Sequence, residues 1–201
     1  MVAYEGSFYD ATVGMSLGAL HALQNFLLEA SDHTDPTSLL TARLAPDMWP
    51  LSFQYRYACN VAEYISRLLS GHNIKDEPIP ATPTDTSITW DAIGARVAQV
   101  IKRLDAVDRD EAGRLGDQVV VEPWRGTELP LKALVGNASM PNVYFHTAMA
   151  YAILRANGVK VMKRHWARAF ARNFLPSGAS ARTVEDKPGV PTAGHKDLGQ
   201  G

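Results

Sequence analysis

The stretch from Ser139 to Gly158 constrains this chain most. Its residues predict one buried helix: Ser139 stands at the N-cap, Pro141 sits in the first turn where its missing N–H costs nothing, and Asn157-Gly158 supplies a left-handed stop. Between these ends Val143, Phe145, Met149, Ala150, Ile153 and Leu154 wrap most of the circumference, the pattern of a helix packed on several sides. Two polar residues, Asn142 and His146, fall one turn apart on one face and form the first candidate for chemistry.

Three further segments carry helical periodicity. From Tyr9 to Ala30, Val13, Leu17, Leu20, Leu23 and Leu27 recur at spacings of three and four. A second helix is expected to start near Asp47, as cap, with Pro50 in its first turn, and to run to Ser70 with the stripe Leu51, Tyr55, Ala58, Ala62, Ile65 and Leu69. A third spans Trp90 to Val107, with Ile93, Val97, Val100, Ile101 and Leu104 inward. Prolines and threonines between Ile74 and Thr89 read as an extended crossover, and Asp108 to Glu111 as a charged run. Gln118 to Val121 and Thr127 to Leu134 read as two short strands around a turn at Pro123 to Gly126.

The expected architecture is all-α, an up-and-down four-helix bundle with a small β-hairpin before the last core helix. Residues 1–158 form the bundle, 159–175 a basic helix carrying Lys160, Lys163, Arg164, Arg168 and Arg172, and 176–201 a tail too poor in large aliphatic residues to offset its ordering entropy, hence disordered. At 201 residues, one domain plus a tail is the natural division.

Charge narrows the partners. The 20 Lys and Arg nearly cancel the 21 Asp and Glu, so the molecule as a whole has no electrostatic reason to seek nucleic acid or an anionic membrane. A small-molecule ligand or a protein partner is expected instead. The single cysteine, Cys59, rules out an internal disulfide, the N-terminus lacks the basic start and apolar run of a secretory signal, and no apolar run nears the ~18 residues of a membrane span, so a cytoplasmic protein is expected.

The order helix, helix, crossover, helix, hairpin, helix resembles the DinB/YfiT-like bundles. Three stretches resemble one family within that superfamily, a domain of unknown function found in bacteria and fungi: Phe8 to Val13, Ala42 to Leu51 with its Pro46-Asp47-Met48-Trp49-Pro50 core, and Met140 to His146 continued by Ala150 to Arg155 and Asn157 to Val159. The resemblance implies a polar site between the helices and often a homodimer. Better-known relatives hold a divalent metal with three histidines, two of them one turn apart on a late helix, and some open or transfer thiol adducts. Here that late pair is Asn142 and His146, and the second helix offers Gln54, Cys59 and Asn60 in place of histidine. A neutral amide is a poor ligand for zinc or nickel, so no metal or other cofactor is expected.

His146 has two readings. As a neutral imidazole inside the bundle it is a catalytic base or a ligand-holding group, with Asn142, Gln54, Tyr57, Tyr151 and His21 around the substrate. As a core histidine it only satisfies a hydrogen bond to Asn142, to a tyrosine or to a backbone carbonyl, as any buried polar group must. Tyr55, Tyr57, Tyr144 and Tyr151 either line one aromatic cavity able to take a flat molecule or serve as core with the hydroxyl at its edge. Cys59 has no adjacent cation, apart from Arg56 a turn away, to activate it and reads as an inert buried thiol. The function these residues support first is small-molecule binding or metal-independent catalysis on an apolar substrate, with an accessory role in a biosynthetic pathway implied by the resemblance alone. The alternatives are a metal-dependent thiol-adduct transferase or isomerase and a non-catalytic dimeric module.

Overall fold

The computed structural model describes residues 7–73 and 88–170. Residues 74–87 of the expected crossover, the end of the expected basic helix (171–175, with Arg172) and the whole expected tail, 176–201, lie outside them. Four long helices carry the architecture: α1 (Met15–Ser31), preceded by a π-helical turn at Asp10–Gly14; α3 (Leu51–Leu68); α4 (Trp90–Asp105); and α7 (Met140–Ala156). Shorter pieces fill the connections, namely α2 (Pro36–Leu39), α5 (Arg109–Gly116), α6 (Leu131–Leu134) and α8 (Lys163–Phe170). Strands β1 (Val119–Val121) and β2 (Glu128–Pro130) form an antiparallel hairpin with Val120 opposite Leu129.

The long helices pack in a cycle. Both α1 and α3 lie against α4 and α7, and α8 covers a further side of α1. The stripes expected on α3 and α4 are the ones buried: Leu51, Tyr55, Ala58, Ala62, Ile65 and Leu69 from one, Ile93, Val97, Val100, Ile101 and Leu104 from the other. Each large aliphatic side chain taken fully out of water in this core contributes ~1.5–3 kcal/mol of transfer free energy. Polar bonds fix the seams. The Tyr55 hydroxyl donates to the Leu23 carbonyl at 3.3 Å, the Trp90 indole N–H donates to the Pro36 carbonyl at 2.6 Å, and Glu63 of α3 is shared by Arg96 and Arg103 of α4.

Several expectations about helix ends are corrected. Ser139 is not a cap: it is helical (φ −73°, ψ −48°), because α6, a π-helical turn at Val135–Ser139 and α7 run on as one rod. Pro141 explains the widened turn, since a proline inside a helix cannot donate to the carbonyl four residues back and its ring crowds that carbonyl. Asp47 is exposed and does not cap α3. The cap position is Pro50, and the first free N–H groups, of Leu51 and Ser52, are taken by the Ala42 and Leu40 carbonyls of the preceding loop at 2.9 and 3.1 Å. The run Asp108–Glu111 starts helix α5, with the Asp108 carboxylate accepting from Glu111 N–H at 2.8 Å. The second strand stops at Pro130, and Leu131 to Leu134 are helical. Asn157-Gly158 does end α7, with Gly158 at φ 83°.

The N-terminal stretch is tied to α5. Asp10 binds Arg109 at 2.7 Å, the Arg109 guanidinium lies 4.4 Å from the centre of the Tyr9 ring, and hydrogen bonds from Arg109 and Ser7, working against partial burial, hold the Asp10 carboxyl down at about 2. The Phe8 ring sits so close to Gly116 that a Cβ there would lie 2.6 Å from it.

Candidate functional site

His146 is buried on α7, 8% exposed, where that helix meets α3. Its Nδ1 lies 2.7 Å from Oε1 of Gln54, itself buried on α3. The orientation of that carboxamide is decided by its other end, because Nε2 of Gln54 donates to the Trp49 carbonyl at 3.0 Å. Turning the amide over would set two carbonyl oxygens against each other, so Oε1 points at the histidine and Nδ1 must carry the proton. The lone pair is therefore on Nε2. Burial pushes the imidazole pKa down from 6.5 to about 4, so the ring is neutral at ordinary pH.

Aromatic rings surround it. Trp49, in the loop just before α3, and Phe53 and Tyr57 on that helix form a ladder, with centroids 4.5 and 5.4 Å apart and planes within 11°. Tyr57 lies 4.6 Å, Phe53 5.7 Å and Phe145 5.2 Å from the His146 ring. Trp49 and Phe145 are each more than half exposed, so the ladder and the histidine form the floor of an aromatic patch that reaches solvent. Phe145 thus departs from the inward role expected of it. The spacing of residues 49, 53 and 57 at intervals of four was the signal for this ladder, and Trp49, Phe53 and Phe145 are the site residues that the sequence reading missed.

The other expected site residues are dispersed. Asn142 is exposed, and its amide donates to the Ala138 carbonyl at 3.1 Å, so it does not join His146. It stands exposed in the first turn of α7, one turn before the buried histidine. His21 is half-buried on α1, with Nδ1 3.0 Å from the Gln24 carboxamide of its own helix. Tyr151 packs on Phe26, 5.7 Å between centroids, on the side of α7 that faces α1 and α8. Five residues from His146 is about 140° around a helix, which takes Tyr151 off the histidine's face. Tyr144 stacks on Phe170 at 5.9 Å, and its hydroxyl is buried without a hydrogen-bond partner among the described residues, which pushes its pKa up to about 12. The four tyrosines therefore line no common cavity. Tyr55 is in the core, Tyr57 is beside His146, Tyr144 is under α8, and Tyr151 is on Phe26 of α1. Cys59 is fully buried, and burial pushes its thiol up to about 12.

A metal of the three-histidine kind does not fit these residues. Among the described residues no three His, Cys, Asp or Glu side chains come together, and the set facing His146 is one carboxamide and three carbon-rich rings. Three clefts of about 440, 470 and 600 Å³ lie elsewhere: between the α3 end and β1, under the hairpin turn, and between α1, α2 and α4. No helix among the described residues is long and apolar enough to cross a membrane.

Comparison with known proteins agrees with this mostly helical fold and its small hairpin. The crystal structure of a DinB family member protein from Shewanella denitrificans is similar, with a TM-score of 0.66 and 28% identity over 79% of this chain and 90% of that chain. No curated protein matches. The order of helices, the hairpin before α7 and the motif ending in His146 all fall inside one family match, over residues 8–167, and the chain belongs to that family, described as a domain of unknown function, DUF1993.

Proposed function

We propose that the chain is a small-molecule-binding protein of the up-and-down four-helix type that takes a planar, mostly apolar ligand at the aromatic patch, with His146 Nε2 as the hydrogen-bond acceptor. One observation carries the reading: the Trp49 carbonyl fixes the Gln54 amide, which fixes the His146 tautomer and leaves Nε2 as the lone-pair side. Phe53, Tyr57 and Phe145 around that ring, with Trp49 and Phe145 more than half exposed, supply the aromatic surface. Cyclic packing of α1 and α3 on α4 and α7 supports the bundle topology.

Binding is favoured over base catalysis by the depressed pKa. A nitrogen of pKa about 4 is far from the near-neutral value at which a general base works best, yet it accepts a hydrogen bond from a phenol or enol well. An uncharged acceptor among stacked rings suits a flat molecule with a single hydroxyl, held by ring contacts worth ~0.5–1.5 kcal/mol each. Gln54 and Tyr57 belong to this site. Asn142, Tyr151 and His21 do not. The proposed setting is the cytoplasm.

The test is titration with 2-naphthol, followed through the imidazole nitrogens of the labelled protein. Saturable movement of the His146 Nε2 resonance, lost in His146→Phe and kept in part in His146→Gln, supports the reading. Unchanged Nε2 at saturation, or equal binding by His146→Phe, overturns it.

A further inference from the structure

A second site is built at the hairpin turn, with lining residues distinct from the rings around His146. Between β1 and β2 the chain turns around a buried carboxylate: Glu122 accepts from the backbone N–H groups of Trp124 at 2.7 Å, Arg125 at 2.8 Å and Thr127 at 3.3 Å. Two backbone bonds close the same turn, Glu122 N–H to the Thr127 carbonyl at 2.9 Å and Gly126 N–H to the Glu122 carbonyl at 3.1 Å. Burial opposes the Glu122 charge, but these N–H groups outweigh it and hold the carboxyl below its usual range. The carboxylate takes up three loop N–H groups that the two short strands leave without a ladder partner. Its effect is to make the loop rigid and to set Trp124 and Arg125 at its tip, with Trp124 52% exposed.

These two side chains border a cleft of about 470 Å³, within the size range of small-molecule pockets. Its floor is apolar, with Leu129 and Leu134, and its far wall is the π-helical turn before α7, where Asn137 stands. Turns of this kind recur at functional sites. Neither the Arg125 guanidinium nor the Asn137 amide has a partner among the described residues. Glu122 also lines the cleft and keeps its negative charge, but both its oxygens are turned to loop N–H groups, so the Arg125 guanidinium is the charge with hydrogen-bonding capacity left for a ligand.

The geometry points to this cleft as a binding site for a small planar carboxylate, its ring stacked on Trp124, its carboxylate on Arg125 and Asn137. Arginine's planar fork suits a carboxylate bidentately, and an indole face is a stacking platform. The neutral His146 patch asks for a hydrogen-bond donor, so the two sites select opposite ligand chemistries.

The experiment is titration of the full chain with 2-naphthoate and, separately, the uncharged 2-naphthamide, followed by the Trp124 indole N–H and the Asn137 side-chain amide in a heteronuclear spectrum. The expected result is saturable movement of both signals with naphthoate, binding at least fivefold weaker in Arg125→Gln, and naphthamide binding unaffected by that substitution. Arg125 is exposed, so the variant keeps the wild-type melting temperature. Naphthoate that moves the resonances of Tyr57 and His146 instead, or that binds Arg125→Gln as well as wild type, overturns the assignment.

Discussion

A histidine kept neutral by burial makes stability depend on pH in one direction. The folded His146 binds its proton near pH 4 and the unfolded one near 6.5, so the unfolded chain holds more protons between those values. The contribution is complete above pH 6.5 and is lost as pH falls towards 4, by about 3 kcal/mol at 1.36 kcal/mol per pH unit. Urea midpoints at pH 7 and pH 4.5 should therefore draw apart in wild type more than in His146→Gln. Equal losses in the two proteins would show that the imidazole is hydrated. Gln54→Leu should cost about 2 kcal/mol at pH 7, because it strands the His146 Nδ1–H and the Trp49 carbonyl together; a loss below 0.5 kcal/mol, in a urea titration read against that rough scale, would mean water replaces both bonds. The sequence made His146 and Gln54 visible, since a polar residue on an apolar helix face has to be explained. It misplaced Asn142: the four-residue spacing to His146 holds inside α7, but Asn142 stands exposed in the helix's first turn, where its amide is taken by the Ala138 carbonyl instead of by the histidine.

At the scale of elements, hydrophobic period was enough to find α1, α3, α4 and α7, and the stripes of α3 and α4 are buried residue for residue. What it could not supply were ends set by tertiary partners. The start of α3 is satisfied by loop carbonyls, which no local pattern records, whereas α5 had a readable signal in Asp108 and Glu111, a capping pair three residues apart. The basic helix was expected from its own stripe, but its seat depends on one residue of another helix. A Cβ at Gly18 of α1 would lie 2.3 Å from the Phe170 ring, so that glycine is the socket into which α8 docks. Gly18→Ala should then destabilise the fold by about 1–3 kcal/mol despite the higher helix propensity of alanine, by overpacking. Phe170→Leu in the same chain should return part of the loss, the coupling a double-mutant cycle measures. Trp166, 5.8 Å from Phe170, reports undocking by its fluorescence. A stabilised Gly18→Ala protein with unchanged emission would place α8 elsewhere in solution.

For the molecule as a whole the question is whether the core opens in parts or all at once, and Cys59 answers it. Its thiol is fully buried on α3 between the other long helices, and with a pKa of about 12 it carries almost no thiolate at pH 8. Only an opening that exposes α3 lets a disulfide reagent react. Because α3 packs on both α4 and α7, and each of these also packs on α1, freeing one face of α3 removes support from every long helix. Local opening at that cysteine should therefore cost nearly as much as global unfolding. Modification rates measured in rising urea should follow the slope of the equilibrium unfolding curve, as expected when the exposed state is the unfolded one. In Gly18→Ala the rate should rise only by the factor set by its global loss of stability, since α8 lies on the outer side of α1 and its release does not uncover α3. A rate that is shallow in urea, or that rises in Gly18→Ala far beyond that factor, would mean that α8 holds the core shut and that the four long helices do not make one cooperative unit.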